Sequence, residues 1–244
     1  MVETYVLVPG AWHGAWSWRP VADRLRAAGH RAVAVTLPGL ADGDDGRRFR
    51  LGDTIDFLAD FLESSDLTDV TLVGHSWGGY PVFGAAHRVP HRLRRVVFCS
   101  AFVPENDVPL VEDVPPGHAE LFRQLARESG DDSVVLPYPV WQNAFIQDTP
   151  EPVRKLVYDL LVPQPMSYFE EGMKAPALST LGLPVTYLVG ESDVAMPPGE
   201  YAWCPRFPAR LGVTPIGIPG DHESFLTRPG EFVSALSRSH VIDG

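Results

Sequence analysis

The most informative stretch of the sequence is a serine between two glycines, Gly-His-Ser-Trp-Gly at residues 74–78. An apolar run precedes it at residues 70–73, and small residues follow it at 84–86. A serine at a sharp strand-to-helix turn exposes its hydroxyl, and the helix start supplies N–H donors and a positive dipole end. Glycines flank such a turn because Cβ atoms would obstruct the approach of helix and strand. The pattern therefore predicts a nucleophile at Ser76.

A serine nucleophile needs a base that removes its proton. Five histidines follow it in the sequence: His87, His91, His118, His222 and His240. We predict His222 as the base, because it follows the last predicted strand, and the carboxyl ends of strands are where open α/β sheets collect their ligands. The others fall on the helix after the serine, in the middle of the chain and in the C-terminal tail.

The base in turn needs an orienting carboxylate, expected after the preceding strand at residues 185–189. Glu191 and Asp193 both follow that strand. We predict Asp193, because Glu191 stands close to the strand end. Asp221, the immediate neighbour of the base, is not expected to reach its Nδ1 atom.

Two backbone N–H donors are needed for the negative oxygen that forms during acyl transfer. We predict Trp77, directly after the nucleophile, and Ala11, in the loop after the first strand. In that loop Gly10 lets the backbone turn inward, and we predict that Gly10 and Trp12 also contact substrate. His13 has three interpretations: it holds the loop in place, it is idle, or it contacts substrate.

The elements that position these residues alternate between strand and helix. We predict strands at residues 4–8, 32–36, 70–73, 95–99, 185–189 and 213–218, and helices at 19–28, 54–64, 77–89 and 228–239. Most of the strands are continuous apolar runs, which is typical of a parallel sheet covered by helices on both faces. Pro215 indicates that the last strand is at an edge.

The alternation stops between residues 102 and 182, here called the middle segment. It has helical patterns at residues 119–129, 151–161 and 166–174 and no convincing parallel strand. We predict that it is a helical lid over a core made of residues 1–101 and 183–244. Its aromatic side chains favour an apolar pocket, and we predict Trp141 and Phe145 as substrate contacts.

Charge and composition exclude several classes of protein. Lys plus Arg is 20 against 31 for Asp plus Glu, giving a net charge of −11 that disfavours nucleic acid as a partner. No apolar run approaches the roughly 18 residues of a membrane span. The first residues lack the basic start of a signal peptide, so we expect a cytoplasmic protein with no membrane partner.

We expect neither a metal nor a cofactor. Cys99 and Cys204 lack the spacing of a metal site or a disulfide framework, so free thiols are predicted. Residues 217–220 lack the spacing of a glycine-rich phosphate loop. The predicted partner is a small hydrophobic ester substrate. The oligomeric state stays open, with a homodimer as one option.

Together these motifs resemble the α/β-hydrolase fold family, and within it the plant methylesterases, hydroxynitrile lyases and their bacterial relatives. The resemblance rests on VLVPGAWHGAWSW, LPG, GHSWGG, GESD and GDHESFLTRPGEF. It implies a mostly parallel sheet flanked by helices, with a helical lid inserted after the sixth strand. It also implies Ser76, Asp193 and His222 as nucleophile, acid and base, with Ala11 and Trp77 as oxyanion donors.

Two positions bear on the chemistry. The lyases that resemble this chain carry Thr in the oxyanion loop and Lys after the catalytic histidine, where this sequence has Gly10 and Glu223. A glutamate there is expected to repel a leaving cyanide, so hydrolysis is favoured over cyanohydrin cleavage. The predicted substrate is a carboxylic ester, thioester or lactone of a small hydrophobic compound, with aromatic and polyketide-like compounds as options. Alternatives are a lyase, cyclase or dehydratase with His222 as general base, and a non-catalytic receptor.

Overall fold

The structure, a computed structural model, describes residues 2–242. The strands are β1 (Thr4–Val8), β2 (Arg31–Ala34), β3 (Val70–His75), β4 (Leu93–Cys99), β5 (Ser133–Val134), β6 (Gln164–Pro165), β7 (Val185–Gly190) and β8 (Ile216–Ile218). The helices are α1 (Arg19–Ala27), α2 (Leu51–Ser64), α3 (Gly79–Arg88), α4 (Leu110–Asp113), α5 (Pro116–Ser129), α6 (Tyr138–Val140), α7 (Glu151–Tyr158), α8 (Ser167–Glu170), α9 (Arg206–Leu211), α10 (Ser224–Thr227) and α11 (Pro229–Ile242).

Six strands form one parallel sheet in the order β2-β1-β3-β4-β7-β8. The chain goes outward from β1 to β2 and then returns to β3 on the opposite side of β1. The loops that leave β1 and β3 therefore diverge, and a crevice opens at the carboxyl ends of the strands. As Pro215 predicts, the last strand lies at an edge, and it begins at Ile216, after the proline.

Both faces of the sheet are buried, which explains the continuous apolar runs. In β1, Tyr5 and Leu7 pack with α1 and α11, whereas Val6 and Val8 pack with α2 and α3 on the opposite face. Each face then removes apolar surface from water, the main favourable term in folding. None of the helices within residues 2–242 is long and apolar enough to cross a bilayer.

The position of the insertion differs from the prediction. Four strands of the large sheet precede the middle segment and two follow it, so the segment comes after the fourth strand rather than the sixth. The reason is that the described chain enters the sheet directly at β1, and no earlier strands are present within residues 2–242. The division of the chain at residues 101 and 183 stays a prediction.

The middle segment contains five of the helices, α4 to α8, and a short antiparallel ribbon of β5 and β6. The ribbon was not predicted, because two-residue strands leave no periodic signal. A buried ion pair fastens the segment to the core: Asp113 of α4 accepts hydrogen bonds from Arg206 at 2.9 Å and Arg210 at 2.8 Å, both on α9.

The helix predicted at residues 166–174 is wrong beyond its first turn. It ends at Glu170, and the chain then pairs with a distant loop through a hydrogen bond from Asp107 N–H to Met173 O at 2.8 Å. Gly172 packs against the Asp107 backbone, where a Cβ would lie 2.6 Å from the carbonyl carbon. A tertiary contact therefore overrides the local helical pattern.

Two glycines in helices, Gly79 and Gly52, give a matched test of how closely α3 packs against its neighbours. A Cβ on Gly79 would collide with the Phe102 carbonyl oxygen, whereas a Cβ on Gly52 of α2 would meet nothing within 4 Å. We expect Gly79→Ala to lower the free energy of unfolding by about 1–3 kcal/mol or more through overpacking. Gly52→Ala should raise it by about 0.5–1 kcal/mol, since alanine favours helix. Chemical denaturation measures the free energy of unfolding of both variants. Equal effects of the two substitutions would contradict the close packing of α3 at Gly79.

Candidate active site

Ser76 lies on the turn between β3 and α3 in a strained conformation. Its φ is 52°, in the left-handed region that non-glycine residues rarely adopt. A Cβ on Gly74 would lie 2.9 Å from the Gly78 carbonyl oxygen, and one on Gly78 would collide with the Pro9 carbonyl oxygen. The turn is held by the Phe102 N–H, which donates to Ser76 O at 3.1 Å. Both glycines are thus required by close backbone contacts.

Asp193 and His222, 29 residues apart in the chain, meet at the carboxyl ends of β7 and β8. His222 Nδ1 lies 2.7 Å from Asp193 Oδ2, and the exposed fractions of the two side chains are 1% and 0%. The other carboxylate oxygen, Oδ1, accepts a hydrogen bond from Ala195 N–H at 3.0 Å. With a proton on Nδ1, the imidazole presents Nε2 as a proton acceptor. The two other carboxylates considered, Glu191 and Asp221, do not contact this imidazole.

The imidazole of His222 is held between aromatic rings. Trp203 stacks on it with centroids 5.4 Å apart, and Phe145 meets it edge-on at 5.1 Å. Its Nε2 is buried and makes no hydrogen bond within residues 2–242, although Ser76 and His222 line the same cavity. Hydrogen bonds between a nucleophile and its base are often long before substrate binds. The structure thus places Ser76 and His222 in the wall of one cavity and joins Asp193 to His222.

The loop after β1 lies directly against the serine. A Cβ on Gly10 would lie 2.9 Å from Ser76 Cβ and 2.8 Å from His75 Nδ1, so a larger residue does not fit there. Ala11 follows and lines the cavity, as does Trp77 after the serine. Their N–H groups as oxyanion donors stay a prediction.

Trp12 connects this loop to the middle segment. Its backbone N–H donates to Gln164 Oε1 at 3.0 Å, its Nε1 donates to Val134 O at 2.8 Å, and its carbonyl accepts from Val162 N–H at 3.0 Å. Its φ of 65° is strained for a non-glycine residue. The short ribbon of β5 and β6 therefore holds the loop in a conformation that it would not adopt alone.

The cavity at the site measures about 210 Å³. Its walls are mostly apolar and come from the core and the middle segment; they include Trp12, Phe102, Phe122, Phe145, Phe169, Met196 and Trp203. Among the described residues that line it, none is Asp, Glu, Lys or Arg. The cavity therefore offers an uncharged environment apart from the histidines.

Two predicted substrate contacts are not in the cavity wall. Gly10 is covered by Ser76 and His75. Trp141 is fully buried behind the wall: its Nε1 donates to Arg154 O at 3.0 Å, and its ring stacks on Phe145 at 6.0 Å. Gly10 and Trp141 are thus absent from the described lining of the cavity, and their contacts with substrate stay predictions.

His118 on α5 is a residue that the sequence reasoning left unassigned. It is half-buried, and it lines the cavity on the side of the middle segment. Partial burial lowers the pKa of its imidazole, which favours the neutral form. Its signal in the sequence was weak, since a lone histidine on an amphipathic helix does not reveal which face it occupies.

Glu223 is not among the described residues that line the cavity, and the predicted repulsion of a leaving anion stays a prediction. The side chain is fully buried beneath the site, and its Oε2 lies 3.5 Å from His13 Nε2. Burial, followed by the charges of Asp221 and Asp193, raises the pKa of the Glu223 carboxyl well above its usual range.

Ligand atoms of His75, His222 and Glu223 lie within 4.8 Å of one another, close enough together to hold a metal ion. Two of the imidazole nitrogens already have partners: Nδ1 of His222 contacts Asp193, and Nε2 of His75 lies 3.0 Å from the His222 carbonyl oxygen. The free Nδ1 of His75 is covered by Gly10. The set thus lacks an open arrangement of ligands for a cation.

A family model described as "Alpha/beta hydrolase family" matches residues 5–235. The chain belongs to this family. This confirms the family resemblance drawn from the sequence motifs, and the parallel sheet with flanking helices is the fold that it implied.

Individual relatives share shorter stretches. The chain is 40% identical to the "Carbendazim hydrolyzing esterase" of Nocardioides sp. (strain SG-4G) over 47% of this chain and 48% of that protein. It is 36% identical to "Methylesterase 10" and 38% identical to "Alpha-hydroxynitrile lyase", both of Arabidopsis thaliana, over 43% and 42% of this chain and 39% and 41% of those proteins. The matched stretch therefore spans about half the length of these curated relatives or less.

A solved structure matches over nearly the whole chain. It is described as an extracellular alpha/beta-hydrolase from a Paenibacillus species that shares structural and functional homology with tobacco Salicylic Acid Binding Protein 2. The TM-score is 0.91 at 28% identity, covering 97% of this chain and 98% of that one.

The buried His13 predicts a pH dependence of stability. Burial lowers its pKa to about 4 from 6.5, so the unfolded state takes up a proton first as the pH falls. The contribution of neutral His13 is fully present above pH 6.5 and is lost as the pH falls towards 4, about 3 kcal/mol in all.

Between pH 7 and pH 4, the free energy of unfolding of the wild type should fall relative to that of His13→Asn by about 3 kcal/mol. Urea denaturation at each pH measures it. Contributions from titrating groups that do not face His13, such as Asp221, are common to both proteins and cancel. Repeating the comparison in a Glu223→Gln background removes the contribution of the carboxyl that faces His13. A difference that does not change with pH would contradict the neutral, buried state of His13.

Proposed function

We propose that this protein is a serine esterase that acts through an acyl-enzyme. The observation that carries the proposal is the hydrogen bond from His222 Nδ1 to Asp193 Oδ2, which leaves a buried, unpartnered Nε2 on the cavity that Ser76 lines. The membership of the chain in the alpha/beta hydrolase family and its similarity to esterases support the reaction type.

In the proposed mechanism, Ser76 Oγ attacks the carbonyl carbon of the ester while His222 Nε2 takes the hydroxyl proton. Asp193 stabilises the imidazolium that forms. The same proton then passes to the departing alkoxide, and the alcohol leaves. A water molecule, deprotonated by His222, attacks the acyl group and restores the free serine.

Ala11 and Trp77 are the proposed donors to the negative oxygen of each tetrahedral intermediate. Their position in the wall beside Ser76 supports this role. A single donor of this kind is worth about 10²–10³-fold in rate. The strained φ of Ser76 and the restricted space at Gly10 support a close approach of both donors to the carbonyl oxygen of the ester.

The wall of the cavity supports hydrolysis over release of cyanide. A leaving anion needs a nearby cation, and none of the described residues that line the cavity is Lys or Arg. Glu223 is not among these residues, and its raised pKa favours the uncharged carboxyl. A leaving group that takes a proton from His222 departs as a neutral alcohol and needs no cation in the wall.

The proposed substrate is a small ester without a net charge, with an apolar or aromatic acyl part. The cavity measures about 210 Å³ and has aromatic walls, so burying the apolar surface of a substrate there favours binding. Binding also removes water from the substrate. His118, on the middle segment, adds an imidazole to the wall, where it can bond a hydroxyl or carbonyl on the acyl part.

The proposal predicts which substitutions remove activity. Ser76→Ala should lower kcat for p-nitrophenyl acetate by about 10³–10⁶-fold and abolish labelling by a fluorophosphonate probe. Asp193→Asn should lower kcat by about 10³–10⁴-fold, because the imidazole loses the acceptor that fixes its tautomer. Glu191→Gln is the matched control, an exposed carboxylate two residues away, and should retain activity.

A fully active Ser76→Ala protein would refute the serine mechanism. If instead Asp193→Asn and Glu191→Gln lost activity equally, the assignment of the acid would be wrong.

Because no Asp, Glu, Lys or Arg lines the cavity among the described residues, we expect the enzyme to prefer an ester with a neutral acyl chain over a matched ester with a charged one. We expect kcat/KM for p-nitrophenyl butyrate to exceed that for p-nitrophenyl hemisuccinate, which has a carboxylate at the end of a similar chain, by about 100-fold or more. The reason is that burying an unpaired carboxylate costs several kcal/mol. Steady-state kinetics measure the ratio, and turnover within about threefold would contradict an apolar acyl site.

A further inference from the structure

Glu223 is a buried carboxyl that the proposed mechanism does not use. It follows His222 in the chain, its side chain is 0% exposed, and neither carboxyl oxygen makes a hydrogen bond within residues 2–242. A buried ionised carboxylate without a partner would cost several kcal/mol. Because the pKa of this carboxyl is raised, it holds its proton to higher pH than an exposed glutamate does.

His13 faces this carboxyl from the loop after β1. Its Nδ1 lies 2.7 Å from Ala11 O, and since a carbonyl oxygen can only accept, Nδ1 carries the proton. Nε2 is then an acceptor; it is buried, has no other partner among the described residues, and lies 3.5 Å from Glu223 Oε2. Since the pKa of His13 is about 4, the ring is neutral at neutral pH.

The geometry points to a buried neutral pair, with Glu223 O–H donating towards His13 Nε2, that positions the oxyanion loop relative to the base. The inference rests on the proposed function. On one side, Glu223 is the neighbour of His222, and its N–H donates to Phe145 O at 3.2 Å. On the other side, His13 holds Ala11 O, one residue before the strained Trp12.

The loop after β1 needs stabilising contacts because its conformation is strained. A non-glycine residue at positive φ, as at Trp12, is strained and keeps this conformation only when surrounding contacts fix it. Hydrogen bonds from the middle segment fix Trp12 from one side, and His13 fixes the adjacent Ala11 carbonyl from the other. A small rotation of this loop would turn the Ala11 N–H away from the developing oxyanion, which affects the transition state more than substrate binding.

Four proteins test the pair: Glu223→Gln, Glu223→Met, His13→Phe and the double variant Glu223→Met/His13→Phe. Glu200→Met, on the exposed surface, is the matched control and should behave as wild type. The side-chain amide that Glu223→Gln introduces can still donate to Nε2, so this variant should keep kcat within about threefold. Glu223→Met has similar volume and no donor, and should lower kcat by about 10–100-fold with KM within about threefold.

The double variant distinguishes coupling from two separate defects. If the residues act as one unit, its kcat should be no lower than that of the worse single variant. Losses that multiply, a Glu223→Gln protein as poor as Glu223→Met, or a Glu223→Met protein with wild-type kcat would each overturn the inference. Turnover is expressed per fluorophosphonate-reactive site, so unfolded protein does not count.

A measurement on the wild-type protein covers the case in which a variant fails to fold. ¹⁵N NMR of labelled imidazoles at pH 7 should show His13 neutral and protonated on Nδ1. A charged ring, or a proton on Nε2, would overturn the pair. The NMR measurement does not depend on catalysis, so it tests the pair of His13 and Glu223 by itself. The absence of esterase activity or of Ser76 labelling in the wild-type protein would instead refute the proposed function.

Discussion

The hydrogen bond between Asp193 and His222 is the interaction on which the rest of the site depends. It is possible because β7 and β8 are neighbours in register, with Gly190 opposite Ile218, so that the loops that follow them lie side by side. A hydrogen bond from Ser192 N–H to Gly220 O at 2.9 Å joins these loops directly. Buried at this contact, the carboxylate fixes both the orientation and the tautomer of the imidazole. Ser76 reaches the same cavity from β3, two strands away.

The middle segment takes part in the site as well as covering it. Its ribbon holds Trp12 through hydrogen bonds to the backbone and the indole, and the Trp77 Nε1 donates to Tyr168 O at 3.1 Å. Trp77, which carries one candidate oxyanion donor, and Trp12, the neighbour of the other candidate Ala11, are thus anchored partly by residues far away in sequence. The ion pair between Asp113 and α9 keeps this segment on the core. The same contacts therefore position the loop after β1 and hold the middle segment against it.

The sheet and the candidate triad were readable from the sequence because their signals are local. Apolar runs mark strands buried on both faces, and the glycines beside Ser76 mark close backbone contacts. What the sequence did not reveal depends on contacts between distant residues. The direction in which Glu223 points, the burial of Trp141 behind Phe145 and the end of α8 at Glu170 all follow from tertiary packing. His118 was missed for the same reason, since the face of a helix that meets a cavity is set by its neighbours.

The central claim is that the hydroxyl of Ser76 becomes acylated when His222 removes its proton. Rapid quenching of the reaction with p-nitrophenyl butyrate, followed by mass spectrometry of the peptide that contains Ser76, tests it most directly. The account predicts that a butyryl adduct on this serine accumulates during the first turnover and is absent from the His222→Ala protein. Steady ester turnover without any acylated serine, or an adduct that forms equally fast without the imidazole, would contradict it.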